Sequence, residues 1–190
     1  MRLETERLII RPWQESDRPV FHRLNREDEI MEFFPFRRTP EQADPVMDKL
    51  NTMIAEHGFG FTALERKEEG DCIGFCGLSR TDLEPFFADG SVEIGWRLLP
   101  ETWGKGYVTE SARRLLDFAF EDLQLAEVVS FAVHNNHRSL AVMQRLGMER
   151  DPARDFDHPG VPDSHPHLKR HTSYAISRSQ WQSAKAGESV

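Results

Sequence analysis

The sequence predicts a mixed α/β fold, in which one mixed sheet is covered by helices on both faces. Two observations lead to this prediction: consecutive strand-like segments occupy the middle of the chain, and strands then alternate with helix-like segments. The length of 190 residues is that of one ordinary domain. Thirteen Phe and four Trp residues supply the large apolar side chains that a core needs.

The first part of the chain predicts one strand and two helices. Residues 7–13 have the apolar pattern of a strand, and residues 15–25 follow as a helix that Ser16 or Asp17 caps. The second helix has apolar residues at helical spacing and clear end signals. These signals are a capping box, a proline at the first helical position and a glycine stop: Thr39 with Gln42, Pro40 and Gly58.

From Phe59 the apolar period changes, and the segments 59–66 and 72–78 predict an antiparallel hairpin. A third strand follows at residues 91–99, and a helix begins near Val108. Another strand, a helix ending at Gly147 and a last strand complete the order. These elements lie at residues 127–133, 136–148 and 171–177.

Composition excludes two classes of partner. The formal net charge is −8, so the chain lacks the positive field that draws proteins to nucleic acid or to an anionic membrane. Its apolar stretches are all shorter than the ~20 residues of a membrane span, and the N-terminal sequence is charged where a signal peptide is apolar. The sequence therefore predicts a cytoplasmic protein.

The segment VEIGWRLLPETWGKGYVTES is the most informative in the chain, because a predicted strand leads through a glycine loop directly into a helix. Gly104 and Gly106 allow close approach to the backbone, and amides of residues 103–108 precede the positive end of the helix dipole. The spacing fits neither a Walker loop nor a dinucleotide fingerprint. The loop is therefore a candidate anion site, with an ordinary turn as the alternative.

With these motifs the chain resembles the GNAT superfamily of acetyl-CoA-dependent N-acetyltransferases, and within it the RimJ/RimL-like branch. The resemblance is carried, in order, by ETERLIIRPW, the glycine-loop segment, NHRSLAVMQRLGM and DFDHPGVPDSHPHLKRHTSYAIS. The family's phosphate segment is Gln or Arg, two residues, Gly, one residue, then Gly or Ala. Glu101 departs from that pattern at its first position, whereas Gly104 and Gly106 fit it.

The resemblance implies a mostly antiparallel sheet of six to seven strands. The sheet would be splayed between the segments SVEIGWRLL and EVVSFAV, with acetyl-CoA in the opening. The resemblance extends to about Ser179 and implies a single N-acetyltransferase domain over residues 1–179. The small polar residues of QSAKAGESV predict that residues 180–190 are a partly disordered tail.

The resemblance further implies where acetyl-CoA binds. The pyrophosphate would lie on the amides of residues 103–108, and the pantetheine arm would pair with the main chain of residues 96–99. Asn136 would hydrogen-bond the arm, with a helix cap as its alternative role. The implied cofactor-binding residues are Trp96, Arg97, Leu98, Leu99, Trp103, Gly104, Lys105, Gly106, Tyr107, Val108, Thr109, Asn136 and Ser139.

Two residues are candidates for catalysis. Glu93 stands where several family members keep a catalytic Glu that removes a proton from the amine. Its alternative role is that of a surface strand residue or of a contact to the first helix. Met143 occupies the position at which many members have a Tyr acid. Ser139 matches the Asn-x-x-Ser of the RimJ/RimL-like branch, so it either assists the departing thiolate or caps the helix.

A histidine-rich loop and an aromatic run remain. His158, His165, His167 and His171 lie among aspartates, but their spacing lacks the ligand pairs of a structural zinc site, and no metal is predicted. The loop either handles protons and the acceptor or packs as an ordinary hydrogen-bonded loop. Trp13 and residues 33–36 lie where this fold builds its acceptor wall, with core packing as the alternative.

The resemblance thus implies an enzyme that transfers an acetyl group from acetyl-CoA to a primary amine by direct attack. A protein N-terminal α-amine is one acceptor, and an amino acid, a polyamine or an antibiotic is another. A non-catalytic CoA-binding sensor is the alternative from another class. The partners are acetyl-CoA and the amine, and the expected assembly is a monomer or a homodimer.

Overall fold

The computed structural model describes residues 1–188, which form two compact units. The first unit contains residues 1–79 and 95–114, and the second contains residues 80–94 and the chain from residue 115 onward. One strand, Val92–Leu98, contributes its first residues to the second unit and its last residues to the first. The single domain expected over residues 1–179 stays a prediction.

The first unit is a run of neighbouring strands with three helices. Its strands are β1 (Leu3–Glu4), β2 (Leu8–Arg11), β3 (Phe61–Arg66), β4 (Cys72–Arg80) and the end of β5 (Val92–Leu98), in that spatial order. The pairs from β1 to β4 are antiparallel, with Ile10 opposite Leu64 and Ala63 opposite Phe75. Its helices are α1 (Arg18–Arg26), α2 (Pro40–His57) and the first turns of α3 (Tyr107–Asp117).

A buried ion pair fixes the start of helix α1. Arg11 donates to both carboxylate oxygens of Asp17, at 2.6 and 3.0 Å, and its Nε donates to Glu65 at 2.6 Å. Asp17 also accepts the Gln14 N–H at 2.8 Å. Asp17 was one of the two predicted caps of α1, but its carboxylate makes no cap hydrogen bond to that helix because Arg11 and Gln14 occupy it.

Helix α2 begins and ends where the sequence predicts. It starts at Pro40, with the Thr39 N–H donating to Gln42 Oε1 at 3.0 Å, and it stops at Gly58, whose φ of 78° is left-handed. Its inner face joins the core of the unit. That core contains Trp13, Phe21, Leu24, Ala43, Met47 and Leu99 among its buried residues.

The second unit is built around strand β9 (Arg170–Ser177). The two-residue strands β7 (Glu149–Arg150) and β8 (Phe156–Asp157) pair with β9, as does β6 (Glu127–Val133), and all three are antiparallel to it. Strand β6 also pairs in parallel with β5, where Glu93 lies opposite Val129. Helix α4 (His137–Arg145) ends before Gly147, whose φ is 75°, as predicted. The core of the second unit contains Leu83, Phe87, Val129 and Phe156.

The predicted mixed, mostly antiparallel sheet is confirmed, but the described residues contain nine strands rather than six or seven. Three of the nine, β1, β7 and β8, have two residues each, too short for an apolar period to reveal.

The predicted tail differs from the structure. Residues Arg178–Glu188 form helix α5, in which buried Trp181 donates to Asp117 at 3.1 Å. The rest of the predicted tail, Ser189 and Val190, lies outside the described residues. Over residues 1–188 no helix combines the length and the apolar character needed to cross a membrane.

Candidate active site

The glycine loop between β5 and α3 presents a row of unbonded amides. Gly104 and Gly106 have φ values of 73° and 81°, a left-handed conformation that favours glycine. Within residues 1–188 the N–H groups from Gly104 to Thr109 have no acceptor, and the first bonded one is Glu110 N–H, which donates to Gly106 O at 3.0 Å. Free amides at the start of a helix bind anions, so the loop fits the pyrophosphate of acetyl-CoA.

Trp103 does not contribute an amide to this cradle. Its N–H donates to Pro100 O at 3.0 Å, and its indole Nε1 donates to Leu98 O at 2.8 Å. Its ring packs against the core of the first unit. The available amides are therefore those of residues 104–109, whereas the prediction was residues 103–108.

Arg7, near the N-terminus, hydrogen-bonds both the glycine loop and the first turn of α3. The Arg7 N–H and Nε donate to the Glu110 carboxylate at 2.9 and 2.6 Å, and its Nη1 donates to Lys105 O at 3.1 Å. The guanidinium lies 4.6 Å from the centre of the Tyr107 ring. The segment ETER thus reaches the predicted phosphate loop, a relation that no local pattern in the sequence indicated.

Glu101, the departure from the family pattern, is neutralised within the first unit. Arg23 Nη1 donates to its carboxylate at 2.7 Å, and this contact lowers the pKa of Glu101. The acidic side chain is therefore held by helix α1 and leaves the amide cradle unaltered.

Of residues 96–99, the segment predicted to pair with pantetheine, only some have backbone groups that point away from β4. The Leu99 N–H donates to Ile73 O at 2.9 Å, so Leu99 faces β4. The same holds for Arg97, because a Cβ on Gly74 of β4 would lie 2.3 Å from Arg97 O. Backbone groups of alternate residues point to opposite edges of a strand, so Trp96 and Leu98 face the other edge. The predicted main-chain pairing therefore fails for Arg97 and Leu99.

Glu93 has the properties of a general base. Its side chain is partly buried, and burial together with the charge of Asp82 raises its pKa to about 7. Within its own unit the described residues give the carboxylate no hydrogen bond and no cationic partner. A carboxylate whose pKa is near neutral and whose oxygens are free can accept a proton from an amine.

Asp82 was not identified as a candidate site residue from the sequence. It lies in the loop between β4 and β5, eleven residues before Glu93, and its side chain is exposed. A single Asp in a polar loop gives no local signal, and only the fold reveals its influence on Glu93.

The histidine loop divides into two pairs. His158 and His171 lie against Phe131 and Phe156, with 5.0 Å between their own ring centres. His171 Nδ1 donates to Lys169 O at 2.8 Å, and burial lowers the pKa of His171 to about 4. Burial also lowers the pKa of His158, whose Nδ1 accepts the Gly160 N–H at 3.0 Å.

The other two histidines of this loop, His165 and His167, have ring centres 6.1 Å apart, and His167 is exposed. In the part of the chain that the structure describes, no group of three or more His, Cys, Asp or Glu side chains could hold a metal ion.

Helix α4 separates the roles of Asn136 and Ser139. Asn136 is its cap, because the Asn136 side chain accepts the Ser139 N–H at 3.2 Å. Ser139 lies in the first turn, half-buried, and residues 1–188 give its hydroxyl no hydrogen-bond partner. The cap that was the alternative role of Ser139 thus belongs to Asn136. Met143, at the Tyr position of the family, is buried.

Comparison with known proteins identifies the family. Residues 7–149 match the model of the acetyltransferase (GNAT) domain. The chain is 30% identical over 189 residues to an FsC-acetyl coenzyme A-N(2)-transacetylase of Aspergillus fumigatus, a match that covers 94% of this chain and 77% of that protein.

Two solved structures have the same fold. An acetyltransferase from Agrobacterium tumefaciens is 29% identical with a TM-score of 0.72, covering 93% of this chain and 94% of that one. A ribosomal-protein-S5-alanine acetyltransferase from Vibrio fischeri is 18% identical with a TM-score of 0.73, covering 95% and 98%. The chain therefore belongs to the GNAT family and is an N-acetyltransferase that uses acetyl-CoA as its acetyl donor.

Proposed function

We propose that this enzyme acetylates an α-amine by direct attack of the amine on the thioester of acetyl-CoA, with Glu93 as the general base. The observation that carries the proposal is the pKa of Glu93, raised to about 7 by burial and by Asp82. A base is most effective when its pKa lies near the working pH, because a substantial fraction is then ionised while the group is still basic.

The amine class follows from the strength of this base. An α-amine has a pKa near 8 and a lysine side chain near 10.4. The difference makes deprotonation of lysine at pH 7 about 3 kcal/mol more costly, at 1.36 kcal/mol per unit. A carboxylate of pKa about 7 is therefore matched to an α-amine.

The other residues have supporting roles in this proposal. The amides of Gly104 to Thr109 bind the pyrophosphate, and the backbone of Trp96 and Leu98 orients the pantetheine arm together with Asn136 Nδ2. A nitrogen–carbon bond forms as the carbon–sulfur bond breaks, and Glu93 takes the proton of the amine. The hydroxyl of Ser139 donates to the departing sulfur.

Two kinds of α-amine remain as acceptors. A protein N-terminus is supported by the likeness to the ribosomal-protein-S5-alanine acetyltransferase, as is membership of the RimJ/RimL-like branch. A small-molecule amine is supported by the more similar N(2)-transacetylase. The raised pKa of Glu93 argues against a non-catalytic CoA sensor. The cytoplasmic location and the monomer or homodimer stay predictions.

The test is thiol release from acetyl-CoA across a panel of amino acids, short peptides with free N-termini, polyamines and lysine derivatives blocked at the α-amine. We expect release with α-amines and little with the blocked lysines. Release that is confined to side-chain amines, or absent with every amine, contradicts the proposal.

A further inference from the structure

Arg38 and Arg97, both in the first unit, have no anionic partner within that unit. Arg38 lies two residues before the start of α2, and Arg97 lies on β5. No carboxylate of residues 1–79 or 95–114 lies within ion-pair distance of either guanidinium. Four other arginines of this unit each pair with a carboxylate: Arg11, Arg18, Arg23 and Arg37.

Arg97 is held in place but left with an unused donor. Its Nη1 donates to Leu24 O at 3.0 Å, and its guanidinium carbon lies 4.2 Å from the centre of the Phe34 ring and 5.5 Å from that of Phe75. Its Nε is buried without a hydrogen-bond partner in the described residues. A buried donor without an acceptor is costly, so an acceptor is missing from this position.

Arg38 adds a second positive charge to the same surface. Its Nη1 donates to Asn25 Oδ1 at 3.0 Å, and its guanidinium carbon lies 4.2 Å from the centre of the Phe36 ring. Burial, and after it the charge of Arg38, lowers the pKa of Arg97 to about 9. Two like charges that affect each other without a counter-charge favour binding of an anion.

We infer that Arg38 and Arg97 bind a carboxylate on the amine acceptor, so that the acceptors are amino acids or short peptides with a free carboxylate. The inference rests on the proposed function. The planar fork of a guanidinium matches a carboxylate, and such charge-assisted hydrogen bonds are strong. Phe34 and Phe36, 36% and 39% exposed, offer apolar surface beside it.

The pyrophosphate of acetyl-CoA does not need the two arginines. The pyrophosphate already has its own donors in the amides of Gly104 to Thr109.

The first experiment measures binding without turnover. The affinities of N-acetyl-phenylalanine and N-acetyl-phenylalaninamide are compared by calorimetry in wild type, Arg97→Gln, Arg38→Gln and the control Arg37→Gln. We expect the carboxylate probe to bind about tenfold tighter than the amide in wild type and in Arg37→Gln. Each of the other two variants should abolish the difference, so the result does not depend on one variant folding. Equal affinities, or no binding of the carboxylate probe, overturn the inference.

A second arm tests the phosphates of CoA as the source of the anion. Affinities for acetyl-CoA and dephospho-acetyl-CoA should be unchanged in Arg97→Gln. A loss confined to acetyl-CoA would assign the arginines to the CoA phosphate and overturn the inference.

The inference and the proposed function fail in different ways. If amidated and free peptides are acetylated equally well, the function stands and the carboxylate site is wrong. If no amine is acetylated but the probes still differ in affinity, the site stands and the function is wrong.

Discussion

The guanidinium of Arg23 donates to both carboxylate oxygens of Glu101, at 2.7 and 3.2 Å. The pair connects helix α1 to the turn that precedes the phosphate loop. It keeps Glu101 ionised and balances its charge, at the position where the family has Gln or Arg.

Removing Arg23 should therefore impair binding of acetyl-CoA. In Arg23→Gln the unpaired carboxylate of Glu101 repels the pyrophosphate, and we expect KM for acetyl-CoA to rise about three- to tenfold at low ionic strength. The double variant Arg23→Gln/Glu101→Gln should restore it, whereas Arg26→Gln, on the same helix, should have no effect. A double variant as weak as the single one would show that Arg23 acts in another way.

Glu93→Gln keeps the shape of the side chain but removes the base, so we expect turnover to fall by about 10² or more. The same substitution should not lower the stability of the folded protein above neutral pH. The folded pKa of about 7 exceeds the ordinary 4.5, so the stability that the protonated carboxyl contributes is present below 4.5 and is lost as pH rises to about 7. At pH 8 the variant should melt no lower than wild type. Wild-type turnover in a folded Glu93→Gln protein would exclude Glu93 as the base.

Asp82→Asn should change the pH dependence of the reaction rather than remove it. Because the charge of Asp82 raises the pKa of Glu93, its loss lowers that pKa and moves the acid limb of kcat/KM to lower pH, by about one unit or less. Asp89→Asn, an exposed carboxylate of the same loop, is the matched control. An unmoved limb in Asp82→Asn would mean that another group titrates.

Gly104→Ala and Gly70→Ala form a matched pair for the phosphate loop. Their φ values are 73° and 69°, and a Cβ on either meets nothing within 4 Å, so both substitutions should cost about 1 kcal/mol of backbone strain. In the proposed site, only Gly104→Ala puts a methyl group beside the amides that bind the phosphate. We expect weaker CoA binding by calorimetry in that variant alone, and equal affinities would remove the phosphate from this loop.

Ser139→Ala and Asn136→Ala separate catalysis from helix capping. Because Asn136 holds the cap, its loss should lower stability by about 0.5 to 2 kcal/mol, measured as a lower melting temperature. Ser139→Ala should melt like wild type but turn over about tenfold more slowly, with little change in affinity for acetyl-CoA. A fully active Ser139→Ala protein would exclude a role in thiolate departure.

The sequence predicted the helix ends and the glycine loop, because single residues determine the backbone conformation there. Pro40 marks the start of α2 because its ring fixes φ. Gly58 marks the end of α2 because glycine tolerates a positive φ, and Gly104 and Gly106 mark the loop for that same reason. Helix α5 was not predicted, because Trp181 is anchored by Asp117, which is 64 residues distant in sequence. The small polar residues around Trp181 gave no sign of that contact.

The site was predictable to a similar extent. The type and position of Glu93 suggested the proposed role of a base, but its pKa depends on burial and on Asp82, which only the folded chain combines. The same applies to Arg97, whose lack of a partner is a property of its surroundings. The sequence suggested a backbone role for that residue, whereas its side chain is the informative part.

The histidine loop has a practical consequence for kinetic measurements on this enzyme. Imidazole is the group to which a rate transition near neutrality is usually attributed. Here burial keeps His171 uncharged down to a pKa of about 4, and it lowers the pKa of His158 as well. A rate transition observed between pH 6 and pH 8 is therefore not that of His171, and burial moves the titration of His158 to lower pH than that of an ordinary imidazole.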